Sequence, residues 1–173
     1  IDIVGFSLSG NILLKYLGEK KNKTMDIRKA IAVNPPIDLK RTSYVLSKTN
    51  LGRVFNDYYM KQIHLQVEAM GECFPDTFIP SMKSKTILEF DEVYTAPVAG
   101  CKNADDYYST CSAKNFLEDI NVPTTILCAM DDPFVDPRIF KSVRMSNTIE
   151  LNIPENGGHM GYLSKKPTPW GDY

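Results

Sequence analysis

The chain opens with the strand-like run Ile1-Asp2-Ile3-Val4 and passes through Gly5-Phe6-Ser7-Leu8-Ser9-Gly10 straight into the amphipathic stretch Asn11-Ile12-Leu13-Leu14-Lys15-Tyr16-Leu17. No residues remain for a loop, so a single serine has to make the turn from strand to helix. Such a turn holds the serine in a strained backbone conformation and lifts its hydroxyl clear of the sheet. The helix N-terminus behind it favours developing negative charge. Strand and helix approach this closely only where the residues two before and two after the serine are small. Gly5 meets the first demand. Ser9 stands where a G-x-S-x-G pattern has its second glycine, with Gly10 directly behind it.

Two later stretches extend the pattern. Val122-Pro123-Thr124-Thr125-Ile126-Leu127-Cys128-Ala129 reads as a buried strand rich in β-branched residues, ending in the acidic turn Met130-Asp131-Asp132-Pro133. Thr148-Ile149-Glu150-Leu151-Asn152-Ile153 alternates apolar and polar residues as a half-buried strand does. Behind it comes the glycine-rich loop Pro154-Glu155-Asn156-Gly157-Gly158-His159-Met160-Gly161, which carries one of the two histidines. Serine, then acid, then histidine, each after a strand, is the order of the α/β-hydrolase fold. The expected class is therefore α/β: the C-terminal part of a mostly parallel sheet flanked by helices, with a helical lid insertion.

The 173 residues divide by pattern into three parts of one partial domain. Residues 1–36 read as nucleophile strand, helix and next strand. Ile12, Leu13, Tyr16 and Leu17 form the helix's apolar face, and Gly18 is its stop. A charged, exposed linker from Glu19 to Arg28 leads to the strand Ala30-Ile31-Ala32-Val33, ended by Asn34-Pro35-Pro36. Residues 37–111 lack a strand pattern. There Asn50 caps a long helix bearing Leu51, Phe55, Tyr58, Tyr59, Ile63, Val67 and Met70, with Gly71 as its stop, and Thr86-x-x-Glu89 forms a capping box. This insert is expected to be the lid, its aromatic stripe serving helix packing. Residues 112–173 carry the acid and histidine strands, with a helix capped by Asp136 and begun by Pro137.

The chemistry these residues suit is nucleophilic. A serine hydroxyl attacks well only when a base takes its proton, which gives Ser7 the nucleophile's role and His159 that of general base and later acid. Ser9 lacks a glycine two positions earlier, and His64 lies in a helical context. Asp131, Asp132 and Asp136 all follow the same strand as candidates for the acid that orients the imidazole. The backbone N–H of Leu8, next after the nucleophile, is one oxyanion donor; the second comes from a loop after an earlier strand, which precedes Ile1.

Gly-Phe-Ser-Leu-Ser-Gly-Asn with Leu14-Lys15-Tyr16-Leu17-Gly18, then Ala129-Met130-Asp131-Asp132-Pro133-Phe134, then Gly157-Gly158-His159-Met160-Gly161-Tyr162, resembles the YheT-like α/β-hydrolases. That family includes abhydrolase-domain proteins 1 and 3 and the yeast medium-chain acyl-CoA:ethanol acyltransferases. Asp106-Tyr107-Tyr108, Ser112 and Leu117-x-x-Ile120-x-Val122-Pro123 look similar too, with a weaker echo at Trp170 to Tyr173. The resemblance covers the later half of such a protein and departs from it at Ser9. It implies that the acid is Asp132, with Asp136 as a helix cap and Asp131 as a turn residue. It also implies a serine hydrolase of carboxylic esters, of lipid or medium-chain acyl type. The alternatives are an acyltransferase passing the acyl group to an alcohol and a binding protein that keeps the fold without catalysis.

Composition excludes other classes. A formal net charge of −1 gives no electrostatic basis for nucleic-acid binding. The longest apolar stretches, such as Ala30 to Val33 and Ile126 to Met130, fall short of the roughly 20 residues of a membrane span. Cys73, Cys101, Cys111 and Cys128 form no C-x-x-C pair and have no histidine at ligand spacing, so neither zinc nor another cofactor is expected. Unpaired thiols, with Cys128 as a small hydrophobe inside a strand, favour a reduced, intracellular setting. Because the first residue already lies inside a strand, the true N-terminus, with any targeting or anchor segment, is expected upstream. The chain by itself is expected to be an inactive fragment.

Overall fold

The computed structural model describes residues 1–19, 26–80 and 83–162. Most of the Glu19–Arg28 linker and the echo at Trp170 to Tyr173 therefore lie outside the described residues. The chain forms two compact units, one of Ile1–Ile37 with the chain from Ala113 onward, the other of Asp38–Ser112.

The first unit is built on four parallel strands in the order β1-β2-β3-β4: Asp2–Phe6, Lys29–Val33, Thr124–Leu127 and Ile149–Asn152. The register sets Val4 beside Ile31, Ala30 beside Thr124, and Ile126 beside Leu151. Parallel strands need crossovers. The first is helix α1, Leu8–Gly18, which packs on β1 and β2. Ala30, Ala32, Ile126, Cys128 and Ala129 are buried at the middle of the sheet, whereas β4 shows the expected half-buried alternation. At the other edge, Val4 and Phe6 of β1 are exposed, as are Leu8 and Ile12 of α1.

The buried face of α1 differs from the one its apolar periodicity suggests. Gly10, Asn11, Leu13, Leu14 and Gly18 are buried, while Ile12 is 60% exposed. The helix is turned by what it touches besides the sheet. Asn11 Oδ1 accepts the N–H of Ala113 at 2.8 Å, and Gly18 sits against the backbone of Phe116, where a side chain would collide. A buried polar residue and a glycine thus mark the inner face. Two short 3₁₀ turns, Ala113–Asn115 and Leu117–Asp119, supply that packing.

The second unit is helical among its described residues: α2 Leu39–Lys48, α3 Asn50–Cys73, α4 Ile87–Phe90, a π-helical turn Asp91–Thr95, α5 Ala96–Val98 and α6 Ala104–Cys111. Two sequence expectations are corrected here. Thr49, not Asn50, caps α3 by accepting the Gly52 N–H, and the helix runs through Gly71 to Cys73. Its buried residues are Gly52, Asn56, Met60 and Val67, whereas Leu51 and Tyr58 are exposed. Asn56 explains the rotation. Its Nδ2 donates to the Lys85 carbonyl at 2.9 Å and its Oδ1 accepts the Ile87 N–H at 3.0 Å. Those bonds hold the start of α4 against this face, beside the cluster of Met60, Val67 and Phe90.

Thr86 caps α4 as the capping box requires, its Oγ1 accepting from the Glu89 N–H at 3.2 Å, but the returning Glu89 carboxylate accepts the N–H of Lys85 at 2.8 Å, one residue before the cap. The residues Asp106-Tyr107-Tyr108 and Ser112 have structural work in this unit. Asn103 and Asp106 close the start of α6, and Ser112 Oγ accepts the N–H of Leu39, joining the unit's first and last turns. The Tyr108 hydroxyl donates to Asp91 Oδ2 at 2.7 Å and accepts from Ser43 Oγ at 2.8 Å. Burial raises both the Asp91 carboxyl and the Tyr108 hydroxyl above their ordinary ranges.

All four cysteines are free thiols, with Cys73 exposed and Cys128 buried just past β3. Burial, assisted by the nearby carboxylates of Asp132 and Asp136, pushes the Cys128 thiol up to about 12. Since only the thiolate is reactive, a thiol reagent at pH 8 should modify Cys73 in the folded protein and Cys128 only after denaturation. Mass spectrometry of the two peptides reads this directly. Rapid native labelling of Cys128 would contradict the burial.

Candidate active site

Ser7 occupies the single residue between β1 and α1, with φ 49° and ψ −122°. Its N–H donates to the Val33 carbonyl at 2.8 Å, extending the β1–β2 ladder, while its own carbonyl accepts from Gly10 and Asn11 to start the helix. One residue serves as the end of a ladder and the start of a helix, and only a left-handed φ permits both. For a residue with a Cβ that conformation costs about 1–3 kcal/mol, which the two flanking elements must offset. Ser7 makes no side-chain cap bond to α1, so its hydroxyl is not spent on the helix.

The small-residue pattern now has a geometric reason. A Cβ on Gly5 would lie 2.7 Å from the Ser9 carbonyl oxygen and 2.9 Å from Gly10 Cα. Gly10 faces Pro35, where a Cβ would come within 3.1 Å, whereas Ser9 is exposed. The close approach falls on Gly5 and Gly10. A serine at position 9 meets no obstacle, which accounts for that departure from G-x-S-x-G.

His159 and Asp132 meet this serine from two loops that leave the carboxyl ends of β4 and β3. His159 Nε2 is 2.8 Å from Ser7 Oγ, and His159 Nδ1 is 2.8 Å from Asp132 Oδ2. A carboxylate only accepts, so Nδ1 carries the proton and Nε2 is left to accept from the serine hydroxyl. The Asp132 side chain is fully buried, and its Oδ1 accepts the N–H groups of Phe134 and Val135 at 2.8 and 2.9 Å. The carboxylate therefore receives three hydrogen bonds and has a set orientation. The Phe134 ring stands edge-on to the imidazole, centroids 4.9 Å apart. Leu8 begins α1, so its N–H is among the first-turn donors without an intrahelical acceptor.

The remaining candidates lie elsewhere. Asp136 caps the 3₁₀ helix Pro137–Ser142 by accepting from Arg138 N at 3.0 Å, and His64 lies in α3 of the other unit. Asp131 is more than a turn residue: its Oδ1 accepts the Gly158 N–H at 2.7 Å and so grips the histidine loop. Sequence reasoning missed Asn34 and Tyr162. The sequence pattern makes Asn34 only a strand terminator, yet it is fully buried with φ 44° and bonds to the histidine loop, to Ala129 and to Tyr162. The signal available was an asparagine at a strand end, the residue type that tolerates this backbone best after glycine.

A four-stranded parallel sheet with a serine at a strand–helix turn defines an α/β-hydrolase architecture. The solved structure of an α/β-fold hydrolase from Bacillus anthracis str. Sterne shares it, with a TM-score of 0.52 at 13% identity over 91% of this chain and 60% of that one. By sequence, the chain is 33% identical over 165 residues to the candidate esterase YheT of Escherichia coli, covering 92% of this chain and 48% of that protein. It is 32% identical over 173 residues to the monoacylglycerol lipase of Saccharomyces cerevisiae, covering 95% of this chain and 38% of that one. It is also 28% identical over 192 residues to the medium-chain fatty acid ethyl ester synthase/esterase 2 of that yeast, covering 96% and 42%. No family model matches. Over most of its length the chain is similar in sequence to the C-terminal portion of α/β-hydrolase-family proteins, and it has their fold. It spans about half, or less, of the length of the curated relatives it matches.

The Gly5 contact makes a direct prediction. Gly5→Ala should lower stability by about 1–3 kcal/mol, the usual cost of forcing extra atoms into a tight contact. Because the atoms that Cβ would meet are backbone, relaxation will not recover it cheaply. Ser9→Ala should be neutral within about 0.5 kcal/mol. Urea unfolding of the three proteins side by side measures both.

Proposed function

We propose that the protein is a serine hydrolase of carboxylic esters that works through an acyl-enzyme on Ser7. The observation that carries this reading is the continuous hydrogen-bonded series Ser7–His159–Asp132, set at a serine whose backbone is held in the left-handed region. Ser7 Oγ attacks the ester carbonyl while His159 Nε2 takes its proton. The Leu8 N–H receives the oxyanion as the carbonyl oxygen gains charge. His159 then returns the proton to the leaving alcohol, and water repeats the sequence to free the acid. Asp132 keeps the imidazole in the required tautomer and stabilises the charge it acquires.

The named activities of the relatives favour acyl esters of lipid type as substrates. We assign the choice of acyl chain to the helical unit 38–112, inserted in sequence between two strands whose carboxyl ends carry the site. The yeast relative named as both synthase and esterase favours a second reading, in which an alcohol intercepts the same acyl-enzyme. Among the described residues no helix is long and apolar enough to cross a membrane.

The test uses the full-length gene product with a fluorophosphonate probe and a p-nitrophenyl ester. Ser7→Ala should abolish labelling and turnover, and Asp132→Asn should lower kcat by about 10⁴-fold through the wrong tautomer. Labelling retained in Ser7→Ala would refute the assignment. Product analysis with ethanol competing against water separates acid from ethyl ester. The apolar side chains exposed along β1, Val4 and Phe6, should make residues 1–173 self-associate when expressed alone, and sedimentation that finds only monomer would overturn this.

A further inference from the structure

We propose that Asn34 is a positioning residue for the general base, holding the His159 loop over Ser7 by its side-chain amide. The proposal rests on the reading of Ser7 and His159 given above. Asn34 ends β2, is fully buried, and lies at φ 44° with its N–H bonded to the Leu127 carbonyl at 2.7 Å. Its side chain reaches two separate segments of the sheet unit, one after β3 and one after β4. Oδ1 accepts the Ala129 N–H at 3.1 Å and the Tyr162 hydroxyl at 2.6 Å. Nδ2 donates to the Gly158 carbonyl at 3.0 Å and to the His159 carbonyl.

That set uses both lone pairs and both hydrogens of the amide, the full capacity of an asparagine. It also settles which way the amide points. An N–H can only donate and a carbonyl can only accept, so Oδ1 must face Ala129 and Nδ2 must face the loop. Asparagine is then specified twice over. The left-handed backbone narrows the position to glycine, asparagine or aspartate. The two carbonyls on the far side require a donor, which glycine lacks and which an aspartate carboxylate replaces by repulsion.

The consequence for chemistry follows from where those carbonyls sit. One belongs to His159 itself and the other to the residue before it. Asp131 grips the same loop through the Gly158 N–H, at 2.7 Å. With the backbone held on both sides of Gly158, the imidazole keeps its 2.8 Å distances to Ser7 and Asp132. Releasing the Asn34 side removes a restraint on the base without touching the nucleophile or the groups that bind substrate.

The experiment compares Asn34→Asp, Asn34→Gly and Tyr162→Phe in the full-length gene product at pH 8, with Ser7→Ala as control. Active sites are counted by end-point fluorophosphonate labelling, so that kcat is expressed per folded site. Asn34→Asp keeps the permitted backbone and the Ala129 bond, and should still lower kcat per site about 10- to 100-fold with KM nearly unchanged, as a displaced catalytic group does. Asn34→Gly should do the same. Tyr162→Phe, which spares the loop carbonyl bonds, should cost about 3-fold. A merely structural role would lower the melting temperature and the number of active sites while leaving kcat per site intact. That result, or wild-type kcat in Asn34→Asp, overturns the proposal. If neither Asn34 variant folds, an unchanged kcat in Tyr162→Phe overturns it and a reduced one supports it. Turnover persisting in Ser7→Ala would instead overturn the function reading on which it rests.

Discussion

The backbone reversal at Ser7 is the constraint on which the rest of the sheet unit depends. A chain that leaves β1 and enters α1 within one residue has to bring the strand's last peptide and the helix's first turn into contact. This demands a left-handed φ at Ser7 and bare backbone at Gly5 and Gly10. The same reversal leaves the serine hydroxyl at the carboxyl end of the sheet, free of capping duty. Parallel pairing then brings the loops after β2, β3 and β4 to that same end. The meeting of Ser7, Asp132 and His159 is thus a result of strand direction as much as of any local preference.

Precision at that meeting is supplied by buried polar groups. Asp132 is oriented by two backbone N–H groups, and the histidine loop is held by Asn34 on one side and Asp131 on the other. Asn34 and the Asp132 side chain are fully buried while Asp131 works from an exposed position; Asn34 and Asp131 reach partners far away in sequence, and Asp132 joins two near neighbours to the distant His159. Such networks are worth their desolvation only when complete, which ties the local order of the loop to the completeness of the network. The helical unit follows the same logic. Asn56 and Tyr108 anchor its inner faces by hydrogen bonds, beside two small apolar clusters.

That logic also explains where sequence patterns misled. Apolar periodicity placed Ile12 inside α1 and Leu51 and Tyr58 inside α3, and all three are exposed. The true inner faces centre on Asn11, Leu14 and Gly18 in one helix, and on Gly52, Asn56 and Met60 in the other. In both, a glycine marks a close backbone approach and an asparagine bonds to a neighbouring chain segment. Neither raises a hydrophobicity signal, so a period read from apolar side chains alone rotates the helix away from its real contact.

What the sequence determined by itself was whatever depends on neighbours in the chain. The strand–serine–helix turn, the alternation along β4, the acidic turn after β3 and the Thr86 and Asp136 caps all arise from interactions within a few residues. The order of Ser7, Asp132 and His159 was readable because each follows a strand whose pattern is local. Tertiary structure made the aim of three aspartates visible: the residues alone left Asp131, Asp132 and Asp136 open and only the resemblance pointed to Asp132, the one that the folded loop turns to the imidazole. Tertiary structure alone gave Asn34 its four partners, which lie about 95 to 128 residues away along the chain. A hydrogen bond across that separation leaves no periodic trace in sequence, because it depends on two loops being brought together by a sheet rather than on anything either loop contains.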